Sequence, residues 1–319
     1  MADTVFAVFN PASGKGRGAR LVDPVLAALK AGGPVEHALT QAAGDELRLA
    51  REAVGRGFTT VVAVGGDGTW SGVASGILDS GAADRVRLGL VPGGTGCDLA
   101  KSLGIPARDI PGCARIVRGG ATQTIDVGRI EDRYFVNVAG FGFDIAVIED
   151  SRDVRWLGGD LLYLYCAVRQ LYRFPGFPVA LAADGGAARR RHLMMLVFAN
   201  ARVFGGGFQI APEADLSDGR LDAVVFTDMP LRRRFPIMVK LLRGTHAGDA
   251  NVETVRGRSF RLQFDAPPAY ETDGEWHRAR TADLVVDTLP GALRVLVPAA
   301  APALRPAPVV AEGAPSPAA

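Results

Sequence analysis

Residues 1–122 alternate between strand-like and helix-like segments, and this alternation constrains the fold more than any other feature of the sequence. The segments "TVFAVFN", "PVEHALT", "TTVVAV" and "VRLGLV" predict strands, and a helical pattern follows each of them. Strands that alternate with helices form a parallel sheet with helices on both faces. The sequence therefore predicts a doubly wound α/β domain in this half of the chain.

Each unusual loop of this domain follows a predicted strand. The stretches "NPASGKGRG" (10–18), "GGDGT" (65–69) and "PGGTGCD" (92–98) come after the first, third and fourth strands, and Thr40 comes after the second. The carboxyl ends of parallel strands share one edge, where ligands bind. Glycines let backbone N–H groups approach a phosphate, and a following helix N-terminus favours negative charge. The loops together predict a phosphate site, although a plain turn or a solvated loop explains any one of them alone.

The pattern changes after the first domain. Residues 123–290 contain short alternating segments separated by turn signals, which predict an antiparallel β-sandwich or barrel. Helical patterns interrupt them at 156–174 and 231–244. Residues 299–319 form an Ala/Pro-rich tail that we expect to be disordered.

Composition excludes several classes of protein. The 36 basic and 34 acidic residues give a net charge of only +2, which argues against a general nucleic-acid binder. The three cysteines are far apart and show neither zinc nor disulfide spacing. The start of the chain lacks a basic region, and no apolar run is long enough for a membrane span. We expect a cytoplasmic protein, at most peripheral at the inner face of the membrane.

The loops, taken with later motifs, resemble the diacylglycerol kinase catalytic family, which includes bacterial lipid kinases, sphingosine kinases and ceramide kinases. The later motifs are "NVAGFGFDIAV" (137–147), "FGGGFQIAPEADLSDGRLD" (204–222) and "ETDGEW" (271–276), and the resemblance covers residues 4–298 in order. It implies that ATP, with Mg²⁺, phosphorylates a lipid hydroxyl such as that of diacylglycerol. It also implies a nucleotide between the α/β domain and a β-sandwich, with residues 291–298 returning to the first domain.

The resemblance assigns residues to the site by matching position. The ATP site is implied to contain Asn10, Ser13, Gly14, Thr40, Gly66, Asp67, Gly68, Thr69 and Thr95. In "DGE" a carboxylate takes the proton of the substrate hydroxyl. We interpret Glu275 as this proton acceptor and Asp273 as a metal-binding or orienting neighbour, although the sequence alone does not separate these roles. Asp67 is expected to organise its loop and the Mg²⁺ that accompanies ATP.

Two further features concern metal and loop geometry. Family members hold a structural Mg²⁺ at the segment "EADLSDGRL", which implies Asp215, Asp218 and the carbonyl of Arg220 as ligands here; a tight turn explains the segment equally well.

Family members commonly carry Asn where this chain has Cys97. Because Cys is a weak hydrogen-bonding residue, the detailed geometry of the 92–98 loop is expected to differ.

The remaining interpretations stay open. The segment "LRRRFPIMVKLLRG" (231–244) mixes basic and apolar residues, as expected for a helix that docks on an anionic bilayer or for one that covers the β domain. A homodimer is compatible with the sequence. An NAD kinase shares "GGDGT" and the two-domain plan, and a non-catalytic lipid-binding regulatory protein on the same fold is a further alternative. Lipid-dependent consumption of ATP distinguishes the three.

Overall fold

The computed structural model describes residues 4–94, 96–154 and 159–299. The strands are β1 (Val5–Phe9), β2 (Val35–Leu39), β3 (Thr60–Gly65), β4 (Arg87–Pro92), β5 (Ala121–Ile130), β6 (Arg133–Phe135), β7 (Val138–Gly142), β8 (Phe177–Ala183), β9 (Arg189–Ala199), β10 (Leu221–Thr227), β11 (Val252–Gly257), β12 (Ser259–Gln263), β13 (Ala269–Thr272), β14 (Glu275–Arg278) and β15 (Asp283–Val297). The helices are α1 (Ser13–Gly16), α2 (Val22–Lys30), α3 (Asp45–Gly55), α4 (Asp67–Asp79), α5 (Asp98–Ser102), α6 (Ile110–Gly119), α7 (Phe143–Asp153), α8 (Gly159–Arg173) and α9 (Leu231–Arg243), with a 3₁₀ helix at Arg17–Leu21.

The N-terminal half is a parallel sheet in the order β4-β3-β1-β2. Every residue of β1 and β3 is buried. Their sequences are therefore nearly continuous apolar runs, without the alternation of apolar and polar residues that a half-exposed strand shows. Helix α4 buries Trp70, Val73 and Ile77 and packs against α3. The predicted doubly wound α/β domain is confirmed, and the carboxyl ends of its strands carry the glycine-rich loops.

The C-terminal half is dominated by antiparallel pairing, with β13, β7, β9, β8 and β12 as successive neighbours. An aromatic core that contains Phe141, Phe198, Phe260 and Tyr270 lies within it. A second core forms beneath α7, α8 and α9 and includes Cys166 and Ile237. The β-rich second domain predicted from the sequence is confirmed, whereas α7 was not predicted.

The long strand β15 connects the two halves. Its first part pairs antiparallel with β12, and its last part pairs in parallel with β4 through Arg294–Arg87 and Val295–Leu88. The final strand of the second domain therefore ends inside the sheet of the first domain.

Two predictions fall partly on residues that the structure does not describe. The predicted tail lies outside the described residues from position 300 onward, and the predicted helix 156–174 is described only from Gly159. Over the described ranges, no helix has both the length and the apolar character needed to span a bilayer.

Candidate active site

The loop after β1 contains three consecutive residues with left-handed backbone conformations. Gly14, Lys15 and Gly16 have φ angles of 58°, 63° and 84°, so α1 is a left-handed turn rather than a regular helix. A Cβ added at Gly14 would lie 2.5 Å from the carbonyl oxygen of Gly93. Position 14 therefore requires glycine both for its conformation and for its close approach to the loop after β4.

The loops after β3 and β4 touch through their backbones. The N–H of Gly93 donates to the carbonyl of Gly65 at 2.7 Å, and a Cβ added at Gly94 would lie 2.5 Å from the Cα of Gly66. No larger residue fits at position 94 without moving the other loop. The glycines therefore bring three loops together at one sheet edge, as a phosphate site requires.

Asp67 lies at the start of α4 and holds the 92–98 loop in place. Its Oδ2 accepts a hydrogen bond from the N–H of Cys97 at 2.7 Å, and its Oδ1 accepts one from the N–H of Asp98 at 2.8 Å. Burial and then the negative charge of Asp98 raise the pKa of the Asp67 carboxyl, against the lowering effect of these hydrogen bonds. Asp67 thus fixes the relative position of two loops.

A cavity of about 530 Å³ lies over these loops, and we call it the glycine-loop cavity. Its wall includes every described residue that the resemblance assigned to ATP, namely Asn10, Ser13, Gly14, Thr40, Gly66, Asp67, Gly68 and Thr69. Thr95, the remaining predicted ATP-site residue, lies outside the described residues. Backbone N–H groups and the N-terminus of α4 give this cavity the chemistry of an anion site.

Glu46 was not predicted as a site residue, yet it lies in the wall of the same cavity. This buried residue belongs to the first turn of α3, and its Oε1 accepts a hydrogen bond from Asn10 Nδ2 at 3.0 Å. The same Nδ2 lies 3.0 Å from Thr69 Oγ1. Asn10 therefore ties the first loop to both α3 and α4.

Glu275 reaches the glycine-loop cavity from the second domain. Its Oε1 would lie 3.6 Å from a Cβ added at Gly68, so the carboxylate stands over the start of α4. Protein atoms crowd this carboxylate although part of the residue stays exposed. This desolvation, followed by the negative charge of Glu46, raises the pKa of Glu275.

Asp273 is engaged by the backbone. Its carboxylate accepts hydrogen bonds from the N–H groups of Val136 at 2.8 Å, Asn137 at 2.9 Å and Val138 at 3.0 Å. Burial raises its pKa to about 6 in spite of these bonds. Both oxygens are already used, so the geometry favours the orienting role over the metal-binding one, and the part of Asp273 in catalysis stays a prediction.

A second cavity of about 530 Å³ adjoins the first, and we call it the carboxylate cavity. Asp67 lines both cavities. Gly274 lines the carboxylate cavity, and the next residue, Glu275, lines the glycine-loop cavity. The other residues in its wall are Lys15, Gly96, Asp98, Asn137, Val138, Asp144, Ile148, Phe204, Gly205, Gly206, Glu271 and Asp273. The two cavities therefore meet at Asp67 and at the turn that leads into β14.

Two buried acids lie close together in the carboxylate cavity. A Cβ added at Gly140 would lie 1.8 Å from Asp144 Oδ2 and 3.0 Å from Glu271 Oε1. Glu271 Oε2 accepts a hydrogen bond from the N–H of Gly274 at 2.5 Å, whereas neither oxygen of Asp144 has a hydrogen-bond partner among the described residues. Burial raises the pKa of both acids, and the charge of Asp144 raises that of Glu271 further.

The predicted structural Mg²⁺ segment forms a tight turn. Asp215 Oδ1 accepts hydrogen bonds from the N–H and Oγ of Ser217, and Asp218 Oδ1 accepts one from the N–H of Arg220 at 3.0 Å. The N–H of Gly219 donates to Asp126, which ties the turn to β5. Oxygen donors of this kind suit Mg²⁺. Within the described ranges no group of three or more His, Cys, Asp or Glu could hold a metal ion, so this site stays a prediction.

Comparison with known proteins identifies the family. The model of the diacylglycerol kinase catalytic domain matches residues 4–130, and that of the YegS C-terminal NAD kinase β-sandwich-like domain matches residues 137–297. A diacylglycerol kinase of Mycobacterium tuberculosis is 32% identical over 92% of this chain and 95% of its own length. The chain belongs to the diacylglycerol kinase family.

Further comparisons agree with this membership. A diacylglycerol kinase of Bacillus subtilis is 30% identical over 84% of this chain and 88% of its own length. The crystal structure of a diacylglycerol kinase from Bacillus anthracis has the same fold, with a TM-score of 0.73, 20% identity, and coverage of 94% of this chain and 98% of that one. The resemblance stated from the motifs is confirmed, and so is the kinase class of the enzyme.

Several site residues of this family member carried no assignment from the sequence. Asn137 and Asp144 belong to "NVAGFGFDIAV", and Glu271 belongs to "ETDGEW", so the motifs that revealed the family already contained them. Glu46 had no comparable signal, because an acid in the first turn of a helix is common for reasons of helix stability alone.

Proposed function

We propose that this protein is an ATP- and Mg²⁺-dependent lipid kinase that transfers the γ-phosphoryl group to a lipid hydroxyl, such as that of diacylglycerol. One observation carries the proposal: the glycine-loop cavity and the carboxylate cavity meet at Asp67. A nucleotide in the first cavity and an acceptor in the second would meet at this junction.

The glycine-loop cavity suits the phosphates of ATP. The left-handed conformation at Gly14 lets the first loop approach the loop after β4, and the N-terminus of α4 adds a favourable dipole. Phosphoryl transfer depends mainly on such positioning and on neutralisation of charge. The loops therefore supply binding and orientation, and no covalent step on the protein is required.

The site also suits Mg²⁺, because like-charged carboxylates gather around it. The charge of Asp98 raises the pKa of Asp67, and that of Glu46 raises the pKa of Glu275. A divalent cation would offset this crowding, and Asp67, whose two oxygens already accept backbone hydrogen bonds, would fix the loops around the cation rather than coordinate it directly. When bound, Mg²⁺ would neutralise the phosphate oxygens.

Glu275 is the proposed proton acceptor. The acceptor hydroxyl oxygen would form a bond to the γ-phosphorus as the bond between this phosphorus and the ADP oxygen breaks, and the hydroxyl proton would move to the Glu275 carboxylate. Its raised pKa makes it a better base near neutral pH than an ordinary Glu. Asp273 would position this turn by holding residues 136–138.

Lipid-dependent release of ADP tests the proposal. The purified protein would be given ATP and Mg²⁺ with diacylglycerol in mixed micelles, with empty micelles, or with NAD. We expect ADP release only with the lipid. Release with NAD alone would transfer the assignment to the NAD kinase alternative. ATP binding without release under any condition would support the regulatory alternative.

A further inference from the structure

Exposed apolar side chains are concentrated on two neighbouring helices, α8 and α9. Among the residues whose side chains the structure describes, nine large hydrophobic ones are exposed, and seven of them belong to these helices. They are Tyr165, Val168, Tyr172, Leu231, Phe235, Val239 and Leu242. The other two, Leu39 and Val285, lie on separate strands. We call the group of seven the α8–α9 face.

The face is held as one unit. Tyr172 of α8 and Phe235 of α9 pack edge to face with their ring centroids 5.7 Å apart. The buried Arg234 donates hydrogen bonds to the carbonyls of Leu171 at 2.9 Å and Phe174 at 2.8 Å, and it pairs with Asp228. The bonds of Arg234 fix α9 against the C-terminal end of α8, and the ring contact joins exposed side chains of the two helices.

Helix α9 is apolar on two sides, which core packing alone does not explain. Ile237 and Leu241 face inward and are buried. Val239 and Leu242, with 46% and 51% of their surface exposed, point outward. A helix that only covers a domain would carry polar residues at such positions. The outward apolar side therefore indicates an apolar partner.

Charge indicates what kind of partner this is. Helix α9 contains five basic residues and no acidic one, and Arg232, Arg233 and Arg243 are exposed beside its apolar side chains. Arg173 adds another exposed positive charge at the end of α8. Apolar side chains next to arginines suit a surface that offers hydrocarbon below a layer of negative charge, and a bilayer with anionic lipids is such a surface.

The face also adjoins a cavity. Phe174, which directly follows α8, lines an apolar cavity of about 300 Å³ together with Phe141, Phe177 and Phe264. Ile145 of α7 lies in the same wall, while the preceding residue, Asp144, lines the carboxylate cavity. The α8–α9 face therefore lies beside this apolar cavity, and α7 lines both that cavity and the carboxylate cavity.

We propose that the α8–α9 face docks this protein on the surface of a bilayer that contains anionic lipids. The outward side chains of α9 and Tyr172 enter the interface, and the exposed arginines contact the lipid head groups. This inference is independent of the phosphoryl-transfer reaction, because vesicle binding is measured without ATP or acceptor.

Vesicle flotation tests the proposal. Full-length protein is mixed with vesicles of phosphatidylcholine alone or of equal parts phosphatidylcholine and phosphatidylglycerol, at low and high salt. We expect binding to the mixed vesicles that weakens with salt, because exposed charges are screened. We expect the V239S/L242S variant to bind about tenfold more weakly, because two apolar side chains no longer enter the interface. R232Q/R243Q should lose the preference for anionic vesicles.

Matched controls keep the test specific. Val285 is exposed to 42%, close to the 46% of Val239, but lies on β15, and Arg261 is exposed on the neighbouring strand β12. V285S and R261Q should bind like the wild type, and melting temperatures should show that all variants are folded. Absence of wild-type binding, or equal loss in the controls, would overturn the proposal. So would sedimentation showing a wild-type dimer that V239S/L242S dissociates, because a second copy would then cover the face.

Discussion

The carboxylate of Asp67 accepts a hydrogen bond from the backbone N–H of Asp98 at 2.8 Å and so joins the start of α4 to the start of α5. A second bond, from the N–H of Cys97, completes the link. Because the same two loops also touch through Gly66 and Gly94, they act as one rigid edge beneath both cavities. The acid within "GGDGT" thus has a structural task in addition to any contact with the nucleotide and its metal.

Asp67→Asn should weaken the link between the loops after β3 and β4. The amide NH₂ would face a backbone N–H and could not accept its hydrogen bond, so we expect the free energy of unfolding to fall by about 2 kcal/mol. We expect the affinity for ATP with Mg²⁺ to fall at least about tenfold, because the phosphate loops lose their alignment. Urea denaturation and calorimetric titration measure these changes. Asp79→Asn, at the exposed end of the same helix, should change neither, and an Asp67→Asn protein with wild-type stability and affinity would disprove the structural role.

The pH dependence of the reaction should show the environment of Glu275. Desolvation and the charge of Glu46 raise its pKa above the usual 4.5, and only the ionised carboxylate accepts a proton. The value of kcat/KM should therefore fall as the pH is lowered through this raised pKa. Glu46→Gln removes a nearby negative charge and should move this acid limb to lower pH. Glu52→Gln, on the exposed face of the same helix, should leave it in place; equal shifts in the two variants would contradict the assignment.

Asp144 should make stability depend on pH. Burial raises its pKa above the ordinary 3.8, so the folded protein holds a proton that the unfolded chain releases as the pH rises past that ordinary value. The stabilising contribution is complete below the ordinary pKa and is lost as the pH rises through the raised one. Each unit of raised pKa corresponds to about 1.4 kcal/mol.

Asp144→Asn should remove this dependence. We expect the variant to gain stability relative to the wild type between about pH 5 and pH 8, as measured by urea denaturation at both values. Asp153→Asn changes an exposed acid of the same helix and should follow the wild type. A relative stability of Asp144→Asn that does not vary with pH would show that the carboxyl is not buried as described.

The architecture and much of the site follow from local patterns. The alternation of strands and helices is sufficient to predict the parallel sheet. The glycines of "GGDGT" and "PGGTGCD" indicate the edge of the sheet where the ligand binds, because only glycine permits the observed contacts between Gly66 and Gly94. The resemblance to a known family then placed residues such as Asn10 and Thr40, which line the predicted cavity.

Relationships between distant residues could not be predicted in this way. Asp273 binds the backbone of residues 136–138, which lie far away in the chain, so its hydrogen bonds leave no local signal. The same holds for Glu46, whose effect on Glu275 arises only when the two domains meet. The closeness of Asp144 to Glu271 likewise depends on the pairing of β13 with β7.

The departure at Cys97 gives a further prediction. Cys97 has a φ of 53°, a left-handed conformation that Asn adopts more readily than Cys. The N–H of Gly94 donates to the carbonyl of Gly65 at 3.1 Å, so the expected gain from Asn rests on the backbone conformation of position 97. Cys97→Asn should therefore raise the free energy of unfolding by roughly 0.5–1 kcal/mol.

Cys113 provides the matched control for this change. It is also buried but lies within α6, so Cys113→Asn gains no conformational benefit and places an amide in the core. We expect that variant to be less stable than the wild type by at least about 1 kcal/mol. Equal effects of the two substitutions in urea denaturation would show that the left-handed conformation at position 97 carries no strain.

The most direct test of the central claim is transfer of labelled γ-phosphoryl from ATP to diacylglycerol in mixed micelles, measured for the wild type and Glu275→Gln. We predict labelled lipid from the wild type and transfer at least about a hundredfold slower for Glu275→Gln, with ATP binding retained. Label on NAD instead of lipid, or an unchanged rate in Glu275→Gln, would contradict the account.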